Sequence, residues 1–169
     1  MNQVLHDFFT QDHRRLEAIL DQAIAHLPEI NMELFAQFRI GLLTHIKMEE
    51  KIFFLAAQKA NDNTPLPYAA QLRLEHGAIT ALLVPTPTSE IVKVLMHVLD
   101  VHDEVEEKKG GMYEACEKLT QQETQELLEK LKAVTPVPVH PHNDAPIAME
   151  AAKRALLRAG YDFDVIASC

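Results

Sequence analysis

The chain has 169 residues, a formal net charge of −9 and an apolar fraction of 47%. This length suits one domain, and the apolar fraction is sufficient for a buried core. The negative charge argues against binding to nucleic acid or to anionic membranes, and no run approaches the ~18 apolar residues of a membrane span. The amino terminus lacks the basic-then-apolar order of a secretory signal, and two cysteines, Cys116 and Cys169, do not make a disulfide framework. We therefore expect a cytoplasmic protein with no membrane partner.

The spacing of apolar residues predicts four long helices, and a low glycine content with abundant Leu, Ala, Glu, Lys and Gln favours helices over a sheet. Asn31 is the expected N-cap of the second helix, and Thr86, followed by Pro87, that of the fourth. Because short connections make consecutive helices antiparallel neighbours, we expect an all-α fold, an up-down-up-down four-helix bundle. The four helices are predicted over about residues 3–26, 32–60, 66–84 and 87–109.

The remainder of the chain predicts a short fifth helix and a helical tail. A capping-box sequence at Thr120–Glu123 starts the fifth helix, which ends near Ala133. Residues 134–146 contain four prolines and two histidines and predict an extended linker. The amphipathic stretch 147–159 is too short to be stable alone, so it should dock on its own bundle or on a second subunit in a homodimer. The expected division is a bundle and a linker with a docked helix, over 1–133 and 134–169.

The most informative pattern is the motif His-x-x-x-Glu-Glu-Lys, which begins at His45 and again at His102. Residues four apart lie above one another on one face of a helix. His45 therefore shares a face with Glu49, and His102 with Glu106. Two such helices facing each other place two imidazoles and two carboxylates in one small volume, as a pair of metal ions requires.

Two further histidines join this set because of where the turns lie. In an antiparallel pair, residues at one level are equidistant from the connecting turn. The midpoint between His13 and His45 is residue 29, between Glu49 and His76 it is 62–63, and between His76 and His102 it is 89, each at or beside a predicted turn. Four helices thus bring six candidate ligands to one level: His13, His45, Glu49, His76, His102 and Glu106.

Imidazole and carboxylate ligands suit iron, and also manganese or zinc. Carboxylates in an apolar bundle are costly without a cation or a proton, and ligands on facing helices are an established way to hold two iron ions. Six ligands shared by two ions leave coordination positions open. The sequence therefore predicts a di-iron centre that binds a small molecule such as oxygen, nitric oxide or peroxide.

Four short motifs together resemble the hemerythrin-like HHE cation-binding family over about residues 3–133: Asp12-His13, His45-x-x-x-Glu49-Glu50, Glu75-His76 and His102-x-x-x-Glu106-Glu107. The resemblance implies a non-haem di-iron site with the same six ligands, in which Glu49 and Glu106 bridge the irons. Oxygen-carrying hemerythrins have a fifth histidine where this chain has Thr80. Their last carboxylate falls at Glu107 here, whereas Glu106 matches the wider family. The four-His, two-Glu set more closely resembles the iron-centre repair and iron-sensing branches.

Other polar residues have plainer interpretations. Glu17, one turn after the first-helix histidine, is either an extra ligand or an exposed residue beside the site. Glu50 and Glu107 are expected to form solvated charge pairs with the lysines that follow them. Tyr113 and Cys116 follow the Gly110-Gly111 break, so they either approach the metal site, if the chain folds back there, or pack beneath the fifth helix, and no role is assigned to them.

The expected function is a di-iron protein that binds or senses a diatomic ligand, oxygen or nitric oxide, or iron status, in iron-centre repair or the stress response. One alternative is a di-iron oxidoreductase of the peroxidase or nitric oxide reductase type, so the sequence leaves open whether the protein is an enzyme. Another is a metal-responsive interaction module that acts through the C-terminal tail. The plainest is a helical bundle without metal.

Overall fold

A computed structural model describes residues 3–169, in which helices are joined by turns and extended segments and no β-strand occurs. A π-helical turn, Glu49–Phe53, joins α2 to α3, and a 3-10 turn, Gln121–Glu123, precedes α7. None of the described helices combines the length and the apolar composition needed to cross a membrane. The α-helices in chain order are α1 (Val4–Ala23), α2 (Met32–Met48), α3 (Phe54–Ala60), α4 (Ala69–Leu82), α5 (Ser89–Glu107), α6 (Met112–Leu119), α7 (Thr124–Lys132), α8 (Pro146–Ala159) and α9 (Phe163–Ser168).

The starts of α2 and α5 are fixed by polar caps. Asn31 caps α2 as predicted, since its side chain accepts a hydrogen bond from the backbone three residues on, at 3.1 Å. The cap of α5 is Thr88, through the same contact at 3.2 Å, so the prediction of Thr86 was wrong. Thr86 is held instead by Asp144, which accepts from its backbone N–H at 2.8 Å and from its hydroxyl at 2.7 Å.

Two predicted helices differ from the observed ones. The helix expected over 32–60 is interrupted by the π-helical turn that begins at Glu49. The predicted start of the fifth helix, with Thr120 as its cap, was wrong. Helix α6 ends just before Thr120, and α7 begins only at Thr124. Thr120 does not cap a helix, since its hydroxyl donates to Cys116 O at 2.8 Å.

The apolar core is divided into two parts with a histidine between them on each of α1, α2, α4 and α5. We call them the first core, which includes Leu16, Leu42, Ile79 and Val98, and the second core, which includes Phe9, Met48 and Leu72 with Val105 packed against it. Along the chain, α1 and α4 run from the second core to the first, whereas α2 and α5 run from the first to the second. In chain order, the residue of one core, the histidine and the residue of the other core are Phe9, His13 and Leu16 on α1; Leu42, His45 and Met48 on α2; Leu72, His76 and Ile79 on α4; and Val98, His102 and Val105 on α5.

The C-terminal tail lies on the same chain's helices. The extended residues between α7 and α8 are held by Arg39, which donates to His140 O at 2.8 Å, and by Asn143 N, which donates to Val84 O at 3.0 Å. Helix α8 then packs on α4 and α9 packs on α5. Helix α8 stops before Gly160, whose φ of 96° lies in the left-handed region that favours glycine.

Candidate metal centre

The six candidate ligands lie together between the first and second cores. The four imidazoles are at most 4% exposed, and both carboxylates are 0% exposed. Each of these four histidines directs its Nε2 atom towards a carboxylate oxygen of Glu49 or Glu106. These distances are 3.4 Å from His13 to Glu106, 3.0 Å from His45 to Glu49, 3.1 Å from His76 to Glu49 and 3.0 Å from His102 to Glu106.

The six residues form two overlapping groups, and in each group four ligand atoms lie within 4.8 Å of one another. One group contains the histidines of α1 and α2, the other those of α4 and α5, and both contain Glu49 and Glu106. Glu49 directs Oε1 to the α2 histidine and Oε2 to the α4 histidine. Glu106 directs Oε2 to the α1 histidine and Oε1 to the α5 histidine. This buried cluster could hold metal ions, and each carboxylate is placed to serve both groups.

The donor atoms fit a cation better than they fit hydrogen bonding alone. Glu49 Oε2 and Glu106 Oε1 are buried and no donor meets hydrogen-bond geometry at either oxygen, although imidazole nitrogens lie 3.1 and 3.0 Å away. His76 and His102 place their Nε2 atoms only 3.0 Å apart. Buried oxygens without donors and converging imidazole nitrogens are costly unless a positive ion lies among them.

On the side away from the cluster, each histidine donates its Nδ1–H to a carboxylate of a neighbouring element. Such a bond fixes the orientation of the ring and leaves Nε2 as the nitrogen that faces a metal. The four bonds run from His13 to Glu107 at 2.6 Å, from His45 to Asp12 at 2.8 Å, from His76 to Glu50 at 3.0 Å and from His102 to Glu75 at 3.2 Å.

These bonds explain why the glutamate of the repeated motif is doubled. The first glutamate of each pair points into the cluster, whereas the second orients the histidine of another helix. The expectation of solvated charge pairs was therefore wrong for Glu50 and Glu107, which are part-buried acceptors for His76 and His13. The sequence carried a signal for this role, because an acid stands directly beside a candidate ligand in all four motifs.

Tyr113, to which the sequence assigned no role, reaches the cluster from α6. Its hydroxyl donates to Glu49 Oε1 at 2.5 Å and lies 2.9 Å from Glu106 Oε2. The same oxygen lies 3.1 Å from His13 Nε2 and 3.3 Å from His45 Nε2. No periodicity places this residue, since it follows the Gly110–Gly111 turn and not a continuous helix.

Burial and charge act in opposite directions on the imidazoles. Burial lowers the pKa of His45, but the Glu49 charge and hydrogen bonds to Asp12 and Glu49 outweigh it and raise that pKa to about 9. Burial also lowers the pKa of His13, and the carboxylates of α5 raise it to about 11. Without metal, the cluster therefore carries protons on its imidazoles, and a metal ion must displace them.

A cavity of about 290 Å³ between α1, α2 and α5 reaches the cluster at His13. Asp103 stands at this inner end, with Oδ1 3.6 Å from His13 Nε2, and burial raises its pKa to about 6. His13 is the one candidate ligand that lines this cavity. The apolar part of the cavity wall is formed by Leu16, Leu20, Phe38, Leu42, Met96 and Leu99, and the acidic part by Glu17, Asp21, Asp100 and Asp103.

Three residues considered from the sequence lie outside both ligand groups. Glu17 is half exposed and pairs with Arg14 at 2.7 Å, so it is not an extra ligand. Thr80 is exposed on α4, away from the cluster. Cys116 is buried in the second core.

Comparisons of the chain with protein-family models, with curated proteins and with solved structures find no match.

Proposed function

We propose that this protein binds two non-haem iron ions at the buried cluster, and that it binds or senses a diatomic ligand, oxygen or nitric oxide, or iron status. The main support is the pair of ligand groups that share Glu49 and Glu106. Two cations between these groups would satisfy both carboxylate oxygens at which no donor meets hydrogen-bond geometry. The mixture of imidazole and carboxylate donors suits iron, and manganese or zinc are the alternatives.

We also propose that α1, α2 with α3, α4 and α5 form an up-down-up-down bundle of the hemerythrin-like kind around this site. The support is the order in which each helix passes the two cores, since that order reverses from each of these helices to the next. Helices that alternate in this way bring residues at equal distance from their turns to one level. The family assignment rests on the motifs of the sequence.

An iron pair would supply open coordination positions and a change between ferrous and ferric states. The protein residues would orient the ligands, admit the small molecule and carry a proton. The carboxylates at Nδ1 hold the imidazole rings in place. The cavity would let a small molecule approach His13, and Asp103 can hold or release a proton beside that imidazole.

Metal analysis of protein purified without added metal tests the proposal. We expect two irons per chain in the wild type and loss of stoichiometric iron in His45→Ala and Glu106→Ala, because each change removes a buried donor. His26→Ala is the matched control, since His26 is exposed and belongs to neither ligand group. Retention of two irons by both ligand variants would sink the assignment.

The ultraviolet and visible spectra separate iron from zinc, because an oxo-bridged ferric pair absorbs in the near-ultraviolet and zinc does not. The proposed binding of a diatomic ligand is tested by adding oxygen or nitric oxide to the anaerobic ferrous protein. We expect the spectrum to change on addition of one of the two gases. An unchanged spectrum with both gases would contradict ligand binding and leave iron-status sensing.

A further inference from the structure

The Tyr113 hydroxyl occupies a central position in only one of the two ligand groups. Its oxygen lies within 3.3 Å of one donor atom from each of His13, His45, Glu49 and Glu106. These four residues are the complete first group. The hydroxyl makes no hydrogen bond to either histidine of the other group among the described contacts of the cluster.

The ring of Tyr113 is locked in this position by its neighbours. Its centroid lies 5.3 Å from that of Phe9, 6.2 Å from that of Phe53 and 6.3 Å from that of Phe54. The residue is 0% exposed. A buried phenol normally needs a polar partner, and the partners available to this oxygen are the donor atoms of the first group.

We propose that the Tyr113 oxygen is a direct ligand of the metal ion held by His13 and His45. This inference rests on the proposed function. The ion of the first group then has five ligating residues, and the ion of the second group has four. The two ions of the pair are therefore unequal, and the second keeps more coordination positions for other ligands.

Coordination of the phenol requires the loss of its proton. In the metal-free cluster the hydroxyl donates that proton to Glu49. A bound cation favours the anionic form of an oxygen ligand, so the proton leaves to the solvent as the bond from oxygen to metal forms. An anionic phenolate oxygen is a hard donor that suits ferric iron, and a phenolate on ferric iron absorbs visible light by charge transfer.

The experiment loads metal-free protein with ferrous iron, oxidises it, and records visible absorption and resonance Raman spectra. We expect a phenolate charge-transfer band in the wild type and its loss in Tyr113→Phe, which retains iron by elemental analysis. Tyr68→Phe is the matched control, because Tyr68 packs against the same second core as Tyr113 but lies outside both ligand groups. It should keep the band.

Protein labelled with ring-deuterated tyrosine provides a second measurement that needs no variant. Excitation within the band should enhance tyrosine ring modes, and these should shift with the label. Wild-type protein that holds two irons without the band overturns the ligand assignment alone, and so does a band that persists in Tyr113→Phe. Wild-type protein that binds no iron overturns both this inference and the proposed function.

Discussion

Each histidine of the cluster lies between two acids with different tasks. Its Nε2 atom faces Glu49 or Glu106, and its Nδ1 atom donates to an acid of another element. In the proposed site the outer acids would act by holding the imidazoles in place. Their removal should weaken metal binding while the donor atoms of the cluster stay the same.

Glu107→Ala tests this positioning role. We expect metal affinity to fall by about 10–100-fold, because His13 loses the acceptor that fixes its ring. The measurement is a competition titration against a chromophoric chelator. Glu104→Ala, an exposed change on the same helix, is the control and should leave the affinity unaltered. An unaltered affinity in Glu107→Ala would mean that this acid is a surface charge.

At the residue scale, the sequence predicted the pairs of candidate ligands that lie one turn apart on a single helix. His45 with Glu49 and His102 with Glu106 follow from helical spacing, and the turn midpoints add His13 and His76. The partners of Nδ1 could not be derived in this way, because each bond joins residues of different elements. For the same reason the sequence left open whether Tyr113 approaches the cluster.

At the element scale, the connection between α5 and α6 brings Tyr113 to the cluster. A Cβ atom at Gly111 would lie 2.4 Å from Val105 O and 2.8 Å from Lys108 O, which are backbone atoms. A side chain at this position would therefore force the turn to shift. Both the stability of the fold and the position of α6 depend on this glycine.

Gly111→Ala is expected to lower the free energy of unfolding by about 1–3 kcal/mol, because the added methyl group overpacks a turn made of backbone. Denaturant unfolding of metal-free protein measures the change. Gly77→Ala is the control: its Cβ would meet nothing within 4 Å, and alanine in a helix is favoured over glycine by up to about 1 kcal/mol. Equal stabilities for the two variants would show that the turn accommodates a side chain.

Helix periodicity predicted the long elements but not their irregularities. The π-helical turn at Glu49–Phe53 contains one buried candidate ligand and begins within a continuous helical pattern of the sequence. Nothing in single-residue propensity distinguishes it from the α-helix expected there. Helix α6 was missed because Gly110–Gly111 indicated a break, and the sequence does not show how soon the helix resumes.

At the scale of the whole molecule, the cluster makes the stability of the metal-free protein depend on pH, and bound metal should remove this dependence. In the metal-free protein the pKa of His45 is raised from 6.5 to about 9. A raised folded-state pKa contributes stability that is fully present below pH 6.5 and is lost as the pH rises through about 9. The pKa of Glu49 is lowered, because contacts with His45 and His76 outweigh burial. Its contribution is present above pH 4.5 and is lost at lower pH.

We therefore expect the free energy of unfolding of the metal-free protein to fall between about pH 6.5 and 9. In the metal-loaded protein the imidazoles hold metal in place of protons, so this fall should be absent. Guanidinium unfolding across this range, with chelator and with added metal, measures both curves. A metal-free protein that gains stability over the same range would contradict the protonated cluster.

The contact between Tyr161 and Glu75 has a consequence for the tail. Tyr161, between α8 and α9, donates to the carboxylate that orients His102. In the proposed metal-loaded protein, occupancy of the cluster and detachment of the tail would thereby be linked, and thermodynamic reciprocity requires each to change the free energy of the other by the same amount. A molecule that competed for the face of α4 beneath α8 would loosen the ion held at His102, and loss of that ion would make the face easier to uncover.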